Sequence, residues 1–366
     1  MRIIEINNID REKKTNCEAN DNYNIAHGGV WPFEIEQHCL SEYGFEVFDY
    51  YNGFPFENDD IVLLVDRTPT HMYKAWKMLK KQGMLKRTIS IMIESPVVDR
   101  KCGEFVLNKI KNAFPFFLTY QDNLVDNKKF FKLWPVINIT DKKVNLKYYK
   151  NEDIACAMIC SRQILAEEKG ELYSKRIEIV DWFENNPDKK FRIYGKGWNG
   201  YSNWGGVIRC KEEAYNNAKY AFCIENARRN GYITEKIFDC FQEGIVPIYL
   251  GAPNVESYIP ESCYIDLSKF ETLDSLWNYL GTISEAEYKN MISEIKKFLE
   301  NEADKFSPKL KYDQISTISN LKYDFNITPL AYFRMYKYVW VYERNKIYGS
   351  LLGYLWALIK YKSNGK

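Results

Sequence analysis

The sequence predicts an α/β protein made of two consecutive α/β units facing a cleft, followed by a helical tail. Three observations predict it. Short apolar runs alternate with amphipathic helical stretches through residues 1–150. The same alternation restarts in residues 151–330. Residues 331–366 then turn basic and aromatic. A chain of 366 residues is also too long for one typical core and suits two domains of about 150 residues or more.

In the first unit the strand candidates are MRIIEI at the start, FEVFDYY (45–51), DIVLLVD (60–66), TISIMIE (88–94) and FPFFLTY (114–120). Several are unbroken apolar runs, as expected of strands buried on both faces of a parallel sheet. Helical stretches lie between them at 70–83, ended by Gly83, and at 104–113. The second unit opens near NLKYYKNEDIACAMIC, which reads as the start of a long helical region reaching about Asn185. Strands KFRIYGKG (190–197), YAFCIE (220–225) and IVPIYLG (245–251) follow. Alternation of this kind argues for open sheets with crossover helices.

Composition narrows the function classes. Hydrophobic residues at 46% and charged residues at 27% are the balance of a globular protein. A net charge of +2 excludes nucleic acid as the main partner but leaves room for a local basic patch. Aromatics reach 16%, which fits sugar stacking, an interface or a coding bias alike. Nine cysteines are scattered, and only Cys156 and Cys160 lie close. In a helix they would sit one turn apart, with no second pair to complete a zinc site, so they read as reduced thiols of a cytosolic protein. His27, His38 and His71 are dispersed, and no metal is expected. The N-terminal MRIIEINNIDREKK has no apolar run long enough for a signal peptide, and no segment has the roughly 18 apolar residues of a spanning helix, so a cytoplasmic protein is expected. The tail 331–366 carries Arg334, Lys337, Arg344, Lys346, Lys360, Lys362 and Lys366 against Glu343. It reads either as a peripheral contact with the inner membrane face or as a terminal helix packed across the domains.

The chemistry concentrates in ENARRNGYITEKIFDCFQEGIVPIYLG, residues 225–251. Here a strand passes through a loop into a helix that Thr234 is placed to cap. Ile237, Phe238 and Phe241 share one face, and Gly244 ends the helix. In a parallel sheet that loop lies at the carboxyl edge, where open α/β sheets bind ligands. The helix start offers unpaired N–H groups and partial positive charge to a phosphate. Lys236 is disfavoured there unless an anion is near, Glu235 is suited to ribose hydroxyls, and Gly231 lets backbone approach closely. A solvated turn is the alternative. AHGGVWPF (26–33) places Trp31 and Phe33 either to stack on a sugar or to pack a turn. Glu94 ends a strand run; by itself such a residue is solvated or paired with a neighbour such as Arg100.

Residues 220–270 resemble the α-1,3-fucosyltransferase signature of glycosyltransferase family 10. That signature is an apolar strand, Glu-Asn, a short loop, Tyr-x-Thr-Glu-Lys, Val-Pro-x-x-x-Gly and a Pro-x-x-Ser/Cys-x-Ile turn ending in Phe. LVDNKKFFKLWP (124–135) and LYSKRIEIVDWF (172–183) extend the resemblance more faintly over both units. It implies a GT-B fold, two Rossmann-like domains facing a cleft: an acceptor-side domain (1–150), a donor domain for GDP-fucose (151–330) and the tail (331–366). Tyr232, Glu235 and Lys236 match donor-contacting positions, Asn226 matches the signature's Asn, and Arg176 matches the arginine that offsets the departing diphosphate. A guanidinium fork suits that task.

Glu94 matches the family's general base, which an inverting transfer needs within hydrogen-bond reach of the attacking hydroxyl. The resemblance also implies a glycan acceptor, an oligosaccharide or polysaccharide such as a bacterial surface polymer, in α-1,3 or α-1,4 linkage. No cofactor is required, although a divalent cation can stimulate. The chain departs from the family at Ala227, where Ser is usual, and at Arg228 and Arg229. These arginines touch the diphosphate, an acidic acceptor or water; together with Glu225 and Trp31 they are further candidates for donor or acceptor contact. A transferase using another GDP-sugar and a non-catalytic nucleotide-sugar or glycan-binding scaffold are the alternatives.

Overall fold

The computed structural model of the chain describes residues 2–6, 44, 46–49, 55–65, 69–98, 102–133, 155–163, 170–216, 218–306 and 308–321. Trp31 with its loop, Arg100 and the tail 331–366 lie outside the described residues.

In the first unit β1 (Arg2–Ile6), β2 (Glu46–Asp49), β3 (Ile61–Val65), β4 (Thr88–Met92), β5 (Phe116–Thr119) and β6 (Phe130–Lys132) form one sheet in the order β2-β1-β3-β4-β5-β6. Every pairing is parallel. All five residues of β3 and of β4 are buried, which is why these strands read as continuous apolar runs. Helices α1 (Pro69–Lys81) and α2 (Glu104–Ile110) are crossovers. Just past α1, Gly83 adopts φ 75°, the left-handed conformation that lets a helix terminate.

The second unit holds β7 (Ala155–Ile159), α3 (Tyr173–Glu184), β8 (Lys190–Tyr194), α4 (Lys211–Tyr215), β9 (Tyr220–Ile224), α5 (Glu235–Gln242), β10 (Val246–Leu250) and β11 (Ile265–Asp266). Its parallel sheet runs β11-β10-β9-β7-β8. Each sheet is doubly wound, with the strand order reversing beside its first strand: between β1 and β3, and between β7 and β9. Helices α6 (Leu273–Thr282) and α7 (Glu285–Asn301) complete the core, and both begin with a capping box, at Thr272 and Ser284.

Two expectations are corrected. ACAMIC is strand, not helix: Cys156, Ala157 and Met158 are buried, and the helical region is confined to α3. Residues 151–330 also do not all belong to the second unit. Helix α8 (Pro308–Ser319) sends Ile315 and Ile318 into a cluster with Ile3, Ile61, Leu63, Ile91 and Phe116 of the first sheet. Three residues apart, these isoleucines share one helical face.

The carboxyl edges of the sheets meet. Val97 beyond β4 and Tyr120 beyond β5 pack with Tyr173, Ala227 and Tyr232 of the second unit. The rings of Tyr120 and Tyr232 lie 4.8 Å apart. Ala227 is wholly buried in this seam, so a small residue stands where the resemblance leads one to expect Ser.

Candidate functional site

A cavity of about 290 Å³ opens at the carboxyl ends of β7, β8 and β9 in the second unit, lined by Cys160, Tyr173, Arg176, Gly195, Lys211, Asn226, Glu235, Lys236 and Asp239 among others. It lies at the reversal of strand order between β7 and β9, the crevice where doubly wound sheets take ligands. Gly195 helps shape it: φ is 130°, and a Cβ would collide with the Cys160 carbonyl, so only glycine lets β8 leave its sheet this close to β7.

The helix start is built from below by Glu225. Thr234 holds the N-cap position, but its side chain makes no capping bond. Instead its backbone N–H donates to Glu225 Oε1 at 2.8 Å and its hydroxyl donates to the same carboxylate. Lys236 Nζ donates to Glu225 Oε2 at 3.0 Å and to Thr234 Oγ1 at 2.8 Å. Glu225 is fully buried. It anchors Lys236, since a buried charge must be paired, and it is not among the residues that line the cavity. This also resolves the apparent misplacement of a lysine in a helix's first turn. Burial works against the ammonium, but Glu225 and Glu235 hold its pKa above the ordinary lysine range.

Arg176, on α3, is 4% exposed, far from the solvated state usual for arginine. One guanidinium nitrogen donates to Ile224 O at 2.6 Å and to Asn226 Oδ1 at 2.9 Å, which ties α3 to the end of β9. The guanidinium sits over the Tyr173 ring at 4.7 Å, a cation–π contact. Arg176 and Lys236 thus arrive at one cavity from different helices.

Acids balance them. Burial would raise the pKa of Glu235, but Lys236, Lys211 and the helix's own N–H hold it below the usual value. Asp239 forms an ion pair with Lys211 yet is pushed up to about 6, by burial first and by Glu235 second. Burial pushes the Cys160 thiol up to about 11 against Arg176 and Lys236, so it lines the cavity as a neutral thiol.

The cavity gathers four predicted residues: Arg176, Asn226, Glu235 and Lys236. Tyr232 is not among its lining residues; it is buried in the seam. Arg228 is exposed and Arg229 half-buried, and both run beside Gly170, whose carbonyl accepts the Arg228 N–H at 2.7 Å. Neither lines the cavity. Glu94 stands on the other unit, beyond β4 and half-buried. Burial is the main cause of the raised pKa values of Tyr173 and Tyr232, and the charge of Glu94 adds to both; of the two tyrosines, Tyr173 lines the cavity. Lys211 and Asp239 were missed in the sequence. Asp239 was accessible there, four residues beyond Glu235 on the same helical face. Among the described residues no cluster of His, Cys, Asp and Glu could hold a metal, and no helix is long and apolar enough to cross a membrane.

Residues 166–298 match the sequence model of glycosyltransferase family 10 (fucosyltransferase), C-terminal part. The chain is 34% identical over 87 residues to an alpha-(1,4)-fucosyltransferase of Arabidopsis thaliana, covering 24% of this chain and 21% of that protein. It is 30% identical over 76 residues to the alpha-(1,3)-fucosyltransferase FucT of Helicobacter pylori, covering 21% and 16%. With a mouse 4-galactosyl-N-acetylglucosaminide 3-alpha-L-fucosyltransferase 9 it shares 28% over 173 residues, 46% of this chain and 38% of that one. The chain thus spans about a fifth of the length of the first two relatives. A crystal structure of an α1,3-fucosyltransferase with GDP-fucose superposes with a TM-score of 0.53 at 17% identity, covering 90% of this chain and 93% of that one. An α-glucosyltransferase bound to UDP and DNA superposes at 0.51 and 11% identity, covering 86% and 99%. The fold is GT-B, and the resemblance to family 10 read from the sequence is borne out.

Proposed function

We propose, from the match of residues 166–298 to glycosyltransferase family 10, that the protein transfers L-fucose from GDP-fucose to a hydroxyl of a glycan acceptor. One observation carries the reading: the matched segment supplies most of the cavity's lining, including Arg176 and Lys236, which converge beside a helix N-terminus. Such a site suits a nucleoside diphosphate, and a related fold has been solved with GDP-fucose. The relatives act in α-1,3 and α-1,4 linkage and, for the mouse protein, on a galactosyl-N-acetylglucosaminide. That supports a β-galactosyl-N-acetylglucosamine acceptor class.

In this reading Arg176 and Lys236 neutralise the charge that develops on the leaving diphosphate. Glu235, kept ionised, accepts hydrogen bonds from the ribose hydroxyls. Across the seam Glu94 takes the proton of the acceptor hydroxyl. The hydroxyl oxygen bonds to the anomeric carbon as the carbon–oxygen bond to the diphosphate breaks, so configuration inverts and GDP departs.

Incubation with GDP-fucose and N-acetyllactosamine, followed by product mass and linkage analysis, tests the activity. A fucosylated product is expected. Product from another GDP-sugar alone would reassign the donor, and none from any donor would leave a nucleotide-sugar-binding scaffold. Glu94→Gln should bind GDP-fucose as the wild type does yet lose transfer by at least about 100-fold, the usual scale of general-base catalysis. Unchanged turnover would remove Glu94 from the mechanism.

A further inference from the structure

The charged cluster on the seam between the two units is independent of the cavity. Asp122 lies in the turn after β5. Its Oδ1 accepts from Lys132 Nζ at 2.5 Å, and its Oδ2 accepts from Asn254 Nδ2 and from the Tyr258 hydroxyl, each at 2.8 Å. One carboxylate of the first unit therefore grips the loop after β10 of the second. Asn254 passes the grip on: its Oδ1 accepts the Gly231 N–H at 2.9 Å. Lys132 Nζ also donates to Tyr120 O at 2.8 Å and to Gly231 O at 3.5 Å. Gly231 is held through both its N–H and its C=O, with φ 75°. The space its Cβ would need is filled by Lys132, Tyr120 and Asp122.

Gly231 stands midway along the loop that starts at Asn226 and ends at the helix carrying Glu235 and Lys236. Tyr232, next in sequence, packs on Tyr120 and Val97, and Val97 is three residues beyond Glu94. Apolar surfaces slide over one another, whereas charge-assisted hydrogen bonds fix direction and distance. An inter-domain contact otherwise permits relative motion.

We propose that Asp122 is a positioning residue for the transfer: it clamps the 226–234 and 254–258 loops to the first unit and so fixes the span from Glu94 to Arg176 and Lys236. The proposal rests on the reading of the cavity given above. Asp122 touches no reactant; it acts through Gly231 and Asn254.

The test compares wild type, Asp122→Ala, Tyr258→Phe and the double variant, all as the full chain. GDP affinity is measured by calorimetry, fucose transfer to N-acetyllactosamine by kcat, and amide hydrogen exchange at 226–234 and 94–98 with GDP bound. For Asp122→Ala the expected result is unchanged GDP affinity, faster exchange in both segments and kcat lower by about 10- to 100-fold, the scale on which small misplacements act. Tyr258→Phe keeps the Asp122–Lys132 pair and should lower kcat less, in the same direction. The double variant should be no worse than Asp122→Ala alone, since both remove one network. Unchanged kcat and exchange overturn the proposal. So does a parallel fall of kcat and GDP affinity, which would mark simple loss of folded protein. If Asp122→Ala does not fold, wild-type kcat in Tyr258→Phe overturns it. A wild type that transfers no fucose would sink the reading of the cavity, while exchange and GDP binding would still score Asp122.

Discussion

Two carboxylates each hold a lysine, and the contrast between them separates folding from assembly. Glu225 is 0% exposed, and its partners Thr234 and Lys236 lie within one short segment of its own unit. Asp122 is 22% exposed in its side chain, and it draws Lys132 from its own unit but Asn254 and Tyr258 from the other. The first arrangement is local and its carboxylate is dry, so it forms as the second unit folds. The second is long-range and partly wet, so it forms only when the units meet. Burial would raise the Asp122 pKa, yet Lys132, Asn254 and Tyr258 hold it below the usual value, which keeps the clamp ionised at neutral pH.

The sharpest way to break the contrast is at its dry end. Glu225→Ala leaves Lys236 with the longer Glu235 contact at 3.5 Å and the buried Thr234 N–H without its acceptor, and should cost about 2–4 kcal/mol, short of a wholly buried charge left alone. Urea unfolding checks it, and a loss well under that range would show that water reaches Glu225. A smaller effect is expected at the seam. Gly231→Ala forces a Cβ into occupied space at positive φ and should cost more than about 1 kcal/mol. An unaltered urea midpoint would mean that the seam is open in solution.

A pH-dependent effect belongs to Asp239, whose ion pair with Lys211 lies in the cavity itself. Its folded pKa of about 6 stands above its ordinary value of 3.8. Between those values the folded state binds more protons than the unfolded one. The group's favourable contribution is therefore fully present below about pH 4 and is lost as pH rises through 6. Asp239→Asn should make stability climb more steeply from pH 4 to 6 than in the wild type. Equal slopes in urea titrations at each pH would place Asp239 in open water.

Much of this was legible from the chain. Strands β1–β5 and β8–β10 announced themselves as apolar runs bounded by turns, and the helix after Thr234 by its apolar face, whereas the two- and three-residue edge strands β11 and β6 were too short to show a pattern. ACAMIC misled because two cysteines four apart imitate a helical turn, and a six-residue apolar run has no period to tell helix from strand. The sequence pointed to close approach at Gly231, and the groups that approach it are Lys132, the Tyr120 carbonyl and Asp122 of the other unit. Thr234 looked like a cap, but a buried glutamate captured its hydroxyl. The seam was hidden for a different reason. Asp122 meets Asn254 and Tyr258 across 132 and 136 residues of chain, and no local pattern encodes a pairing that long.

Helix α8 makes the second unit, in effect, an insertion in the first. Ile315 and Ile318 lie on the face formed by β1, β3, β4 and β5, and burying each contributes about 1.5–3 kcal/mol. On a ribosome, that part of the first sheet would wait uncovered until the whole second unit had emerged. Of the two units, the amino-terminal one is thus made earlier and completed later.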